Sequence, residues 1–227
     1  MSGLLCLQGG GEFSPGCQEM DAQLVALAPG PVVVTALAAA RGRDYATATA
    51  NGVRHFRALG AAEVAGAPDA REDPAGALRV LRAAALIVLP GGSPSRLLRG
   101  LYDTGAGAVV TERFAAGALV MGASAGAMVL CSWLVQPERR RTGALPLAAG
   151  LALAPGLLVV PHWSNERDRS AWLQAAETAG EPLTVVGLRE ESGLLLRDGL
   201  WTAVGRAAAR LVSEQRELHP SETWRPG

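Results

Sequence analysis

The residue types best suited to chemistry gather in residues 119–130, L-V-M-G-A-S-A-G-A-M-V-L. Ser124 has Gly122 and Gly126 two positions to either side, a G-x-S-x-G spacing between an apolar run and an apolar helical start. In that context the spacing describes a nucleophile elbow: a sharp strand-to-helix turn that lifts the serine hydroxyl beyond the strand end. Backbones crowd together at such a turn, and every other residue from Gly122 to Ala127 is glycine or alanine. The N–H of Ala125 would open the helix and face whatever Ser124 attacks, forming half of an oxyanion hole. The competing reading is a tight junction in an alanine-rich chain.

A serine hydroxyl needs a base within hydrogen-bond reach, and histidine is the usual one. The chain has three histidines. His55 falls in a helical pattern and reads as an ordinary surface or boundary residue; His219 lies in the polar tail. His162 directly follows an apolar strand pattern, which favours the role of base over that of a histidine packed beside Trp163. An imidazole acting as base needs an anion to fix its tautomer. Glu190, at the end of another apolar run, is the first choice, with Glu191 the near alternative and one of the two facing solvent. A second oxyanion donor is expected from a backbone N–H of Gly91 or Gly92, where absent side chains let the backbone approach a carbonyl oxygen. In open α/β sheets reactive groups gather beyond the carboxyl ends of the strands. Gly91-Gly92, Ser124, His162 and Glu190 each follow a short apolar run.

The pattern that must position these residues is an alternation of strands and helices. Strands are predicted over 4–8, 32–36, 62–64, 85–89, 157–160 and 183–188, besides the one entering the elbow. Helices are predicted over 19–28, 45–59 (capped by Asp44), 105–116 and 165–179, with another starting at Asp73-Pro74 and a short one after Pro94. Strands that are apolar throughout and separated by helices imply a mostly parallel sheet covered on both faces, a three-layer α/β sandwich. Residues 193–197 and 200–204 read as a hairpin around Asp198-Gly199, and 207–212 as one further strand. The expected organisation is a single domain over 1–212 and a frayed polar tail over 213–227. The Gly9-Gly10-Gly11 run reads as a tight loop near the active face, since no phosphate-loop continuation follows. The run Arg139-Arg140-Arg141 reads as a solvated loop or a rim that greets an acidic group.

The bulk numbers exclude several classes. The 227 residues, 49% of them hydrophobic, suit a globular fold with a large core. The net charge is zero, with 21 basic residues, all arginine, against 21 acidic ones. That balance leaves no electrostatic footprint for nucleic acid or an anionic membrane. No signal peptide or membrane span is read. The three cysteines have no framework or zinc spacing. A reducing cytoplasm is expected, with no metal or organic cofactor.

Four segments carry a family likeness: P-G-G-S-P-S-R-L at 90–97, M-G-A-S-A-G-A at 121–127, V-P-H-W at 160–163 and L-R-E-E-S-G-L-L at 188–195. Together they resemble the serine peptidases that include cyanophycinase and dipeptidase E (aspartyl dipeptidase). The resemblance implies a flavodoxin-like fold similar to the class I glutamine amidotransferase domain. It also implies Ser124 as nucleophile, His162 as base, Glu190 as acid and Gly91-Gly92 as the glycine pair, and by analogy a homodimer. Arg96 and Leu97 match the family's R-L. The chain departs from cyanophycinases in having Ser93-Pro94 after the glycine pair and Val160-Pro161 before the histidine, where they carry Asp-Gln. Dipeptidase E relatives usually have Asn where Ser93 stands. The resemblance therefore implies the reaction, hydrolysis of short peptides, more than the substrate. Gly91, Ser93, Arg96, Trp163 and Arg167 are candidate substrate contacts, and Arg169 a further carboxylate anchor. The alternatives are a catalytically silent binding module and an esterase or acyltransferase using the same three side chains.

Overall fold

A computed structural model describes residues 3–139 and 145–226. Arg140 and Arg141 lie outside the described residues. The first half of the chain builds five parallel strands: β1 (Leu5–Gln8), β2 (Val32–Val34), β3 (Val64–Gly66), β4 (Leu86–Leu89) and β5 (Leu119–Ala123). Between them run α1 (Gln18–Leu27), α2 (Arg43–Ala58), α3 (Pro74–Arg82), α4 (Pro94–Asp103) and α5 (Ala106–Ala115), and β5 turns directly into α6 (Ala125–Leu130). The order across this half is β1-β5-β4-β2-β3.

Because side chains alternate across a strand, β1, β2, β4 and β5 each feed two cores, while β3, at the sheet edge, buries only Val64. Leu5, Leu7, Val33, Ile87, Leu89 and Val120 face a core that includes Leu81 of α3, Leu97 and Leu101 of α4 and Val110 of α5. Cys6, Val32, Val34, Leu86, Val88 and Met121 face another, with Met20 and Leu24 of α1 and Phe56 of α2. This is the three-layer arrangement expected from strands that are apolar at every position.

The second half adds β6 (Trp133–Val135), β7 (Leu147–Ala149), β8 (Leu157–Val160), α7 (Ser170–Glu177), β9 (Thr184–Gly187), β10 (Ser192–Arg197), β11 (Leu200–Gly205), β12 (Ala209–Leu211), β13 (Arg216–Leu218) and β14 (Thr223–Trp224). Strands β10, β11 and β14 extend the main sheet antiparallel beyond β1, giving it eight strands. The hairpin turn falls on Asp198-Gly199, both with positive φ (51° and 73°), as a tight two-residue turn requires. A smaller sheet of order β13-β12-β9-β8 stands beside it.

The tail is not frayed: β13 pairs with β12 and β14 with β11, and Trp224 is buried with its indole N–H donated to Glu214. His55 is not a surface residue. It is buried against Asp21 (2.7 Å), whose other oxygen accepts from Gln8 (2.6 Å). Asp44 does not cap α2; the capping position is Gly42, and Asp44 falls in the first turn. The strand expected at 62–64 is shifted to Val64–Gly66. Helix α7 starts at Ser170 because Asn165 and Asp168 close a turn ahead of it. Residues 133–135 and 147–149 pair as a small antiparallel ladder that the sequence reading leaves unassigned.

Candidate active site

The elbow has the strain its spacing predicts. Ser124 adopts φ 50°, ψ −111°, an unusual conformation for a non-glycine residue, and its N–H donates to the Gln8 carbonyl at 2.9 Å. A Cβ on Gly122 would stand 2.7 Å from the Ala127 nitrogen, and one on Gly126 would fall on the Leu89 carbonyl. These glycines are required by the close approach of β4, β5 and α6.

His162 follows β8 and also has positive φ (49°). Its backbone N–H donates to Gly9 at 2.9 Å, and its ring lies on Gly10. A Cβ on Gly10 would stand 2.7 Å from Nδ1. The glycine run after β1 is thus the floor under the imidazole. Nε2 lies 2.9 Å from Ser124 Oγ, and Nδ1 lies 3.0 Å from Glu190 Oε1. A carboxylate can only accept, so the pairing puts the ring proton on Nδ1 and leaves Nε2 to accept from the hydroxyl. The His162 and Glu190 side chains are 45% and 63% exposed, so this chain of contacts lies along an open rim.

The two glutamates separate cleanly. Glu191 (φ 55°) turns away from the imidazole. It accepts from Ser14 Oγ at 2.7 Å, pairs with Arg206 at 3.6 Å, and its N–H donates to Gly10 at 3.0 Å. It anchors the loop that carries the histidine's floor. The neighbouring Arg189 points the other way, donating to Glu217 of β13 and to the Ala208 carbonyl. The carboxyl-terminal strands therefore brace the turn on which Glu190 sits. The Arg189 hydrogen bond holds the Glu217 carboxyl below the usual carboxylate range.

Of the remaining candidates, the glycine pair meets the serine. The Cβ position of Gly91 is 3.2 Å from Ser124 Cβ. Gly92 has φ 138°, and a side chain there would press on the Ala38 carbonyl at 2.8 Å. The Gly91 N–H is already engaged: it donates to Glu12 Oε1 at 2.6 Å. Glu12, directly after the glycine run, is absent from the residues singled out by sequence. Its signal was its place at a strand's carboxyl end, beside three glycines.

The other side chains are not brought to the serine. Ser93 is the N-cap of α4, accepting from Arg96 N at 3.1 Å and donating to Glu138 at 2.6 Å. Glu138 also accepts from Ser95 N. Burial raises the Glu138 carboxyl, but these hydrogen bonds outweigh it and leave the group below its ordinary range. Arg96 donates to the Ala38 carbonyl at 2.9 Å and lines a neighbouring cleft of about 760 Å³ with Arg41, Arg71 and Arg99. Trp163 is buried against Gly187. Arg167 is exposed on the turn before α7, and Arg169 donates to the His162 carbonyl.

With this geometry in view, the family model for peptidase family S51 matches residues 7–204. The chain belongs to that family. It is accordingly a serine peptidase, a hydrolase of the peptidase E type with a flavodoxin- and amidotransferase-like α/β fold. No curated protein matches the chain. Among solved structures, it is similar to a peptidase from an acI-B1 Actinobacterium, with 23% identity, 100% of this chain and 98% of that chain covered, and a TM-score of 0.84. It is also similar to a candidate peptidase E protein from Listeria monocytogenes EGD-e, with 18% identity, coverages of 91% and 98%, and a TM-score of 0.64. Both likenesses concern the fold. Among the described residues no helix is long and apolar enough to cross a membrane.

Proposed function

We propose that this S51 peptidase hydrolyses short peptides through Ser124, His162 and Glu190 by way of an acyl-enzyme. The observation that supports this most is the unbroken contact Oγ–Nε2 (2.9 Å) and Nδ1–Oε1 (3.0 Å), made by three residues far apart in sequence. Ser124 Oγ attacks the peptide carbonyl carbon as its proton passes to His162 Nε2. The tetrahedral intermediate then collapses, the C–N bond breaks, and His162 returns that proton to the leaving amine. A water attacks the ester in the same way, with His162 accepting and then delivering its proton to Ser124. Glu190 holds the tautomer and offsets the imidazolium charge. The oxyanion lies between the N–H groups of Gly92 and Ala125, since the Gly91 N–H is committed to Glu12.

The specificity differs from that of cyanophycinase. Where those enzymes carry Asp-Gln, this chain has Val160 and Pro161, both buried, and Ser93-Pro94, consumed in starting α4. The substrate is thus taken to be a small peptide, and the setting the cytoplasm, with a homodimer as the assembly. A dipeptide library incubated with wild-type protein and Ser124→Ala is the test. Cleavage by wild type alone is expected; equal cleavage by the folded variant rules the mechanism out.

A further inference from the structure

We propose that the arginine-lined cleft beside α4 is a second binding site, separate from Ser124, for a small molecule carrying two negative charges on a phosphate or on a pair of carboxylates. The cleft has a volume of about 760 Å³, the size of a small-molecule site. Its arginines come from the segments that follow three parallel strands: Arg41 follows β2, Arg71 follows β3, and Arg96 and Arg99 follow β4 on α4. Ligands of open α/β sheets bind beyond such strand ends. None of Ser124, His162 and Glu190 is among the described residues lining the cleft. The site is independent of whether Ser124 is a nucleophile.

Arg71 forms the fixed wall. Its Nε and Nη2 donate to the two oxygens of Asp69 at 2.7 Å each, and its Nη1 donates to the Ala39 carbonyl at 3.0 Å. Burial raises the Asp69 carboxyl, but the Arg71 hydrogen bonds outweigh it and hold the group below its ordinary range, so this pair is ionised. Arg96 and Arg99 are each tethered by one nitrogen: Arg96 Nη1 donates to the Ala38 carbonyl at 2.9 Å, and Arg99 Nε to the Ser95 carbonyl at 3.3 Å. A guanidinium carries its N–H donors in a planar fork, so each tether orients the group and leaves the rest of the fork for a ligand. Among the described residues the ion pairs use none of Arg41, Arg96 and Arg99. Charge decides the ligand. Four guanidiniums stand against the carboxylates of Asp103 on the lining and Asp69 on Arg71, an excess of two positive charges in a chain that is neutral overall. A dianion cancels that excess, and a monoanion leaves part of it in place. Phosphate and carboxylate oxygens both match the guanidinium fork.

The test titrates the full chain with inorganic phosphate, succinate and acetate, at matched ionic strength and at a pH where the first two are dianions, with binding followed by calorimetry. One phosphate or succinate should bind per chain, about tenfold or more tighter than acetate, and the tighter of the two dianions identifies the head group. The double variant Arg41→Gln, Arg99→Gln changes two exposed side chains. It should weaken dianion binding by about a hundredfold, while its melting temperature without anion stays close to that of wild type. Wild-type protein that binds neither dianion, or binds acetate as tightly, overturns the proposal, a result that needs no variant to fold. Undiminished dianion binding by the folded double variant also overturns it, because the anion then lies elsewhere.

Discussion

Replacing Gly10 by alanine should disable the protein while leaving it folded. Two costs arise at this position. The first is local: φ is 133°, a conformation that side chains rarely adopt, with a penalty of roughly 1–3 kcal/mol. The second falls on the site. The new methyl would stand 2.7 Å from His162 Nδ1, so the ring must retreat by at least about 0.8 Å to reach an ordinary contact. The 2.9 Å contact with Ser124 Oγ is then stretched beyond hydrogen-bond range. A displacement of that size costs on the order of a hundredfold in kcat. Gly117→Ala supplies the control, since Gly117 also has positive φ (98°) but nothing within 4 Å of its Cβ position. Both variants should lose thermal stability to a similar degree, and only Gly10→Ala should lose dipeptide hydrolysis. Wild-type turnover by Gly10→Ala, or equal loss in both variants, would refute the idea that the glycine run seats the imidazole.

Two further outcomes follow from the same geometry. Glu190→Gln should lower kcat by a factor of ten or more with little change in melting temperature, whereas Glu191→Gln should chiefly lower the melting temperature; the reverse pattern in paired kinetics and melts would reassign the two glutamates. The Glu217 carboxyl is held below its ordinary range by Arg189, so its contribution to stability is present above the unfolded carboxylate pKa and lost as pH falls through the lower folded value. Urea midpoints of wild type and Glu217→Gln should therefore differ at pH 7 and converge as the pH falls below the ordinary carboxylate range and through the lowered folded value, and a gap that does not narrow in acid contradicts the assignment.

What sequence alone made legible follows from how local each signal is. Ser124 could be read because an elbow needs small residues at fixed offsets, and Gly122 and Gly126 supply them within five positions. His162 and Glu190 could be read because each follows a run of apolar residues whose carboxyl end had to reach one rim of the sheet. Glu190 and Glu191 could not be told apart, because their roles depend on Ser14 and Arg206, partners brought in by the fold. The tail was misread for a similar reason: Glu217 and Trp224 look polar and isolated until Arg189 and β11 meet them. His55 reads as a surface or boundary residue because its partner Asp21, and Gln8, which donates to that carboxylate, come from a different helix and a strand. Trp163 reads as a substrate contact from its place beside His162, but the fold buries its indole against Gly187, with its backbone N–H donated to the Leu188 carbonyl.

The proposed mechanism turns on activation of Ser124 by the imidazole of His162. Intact-mass measurement after exposure to a fluorophosphonate, followed by peptide mapping, addresses it directly. One adduct is expected, on Ser124, formed rapidly by wild-type protein and slowed by several hundredfold or more in His162→Ala. An adduct on another residue, or labelling of Ser124 at the same rate without the imidazole, contradicts it.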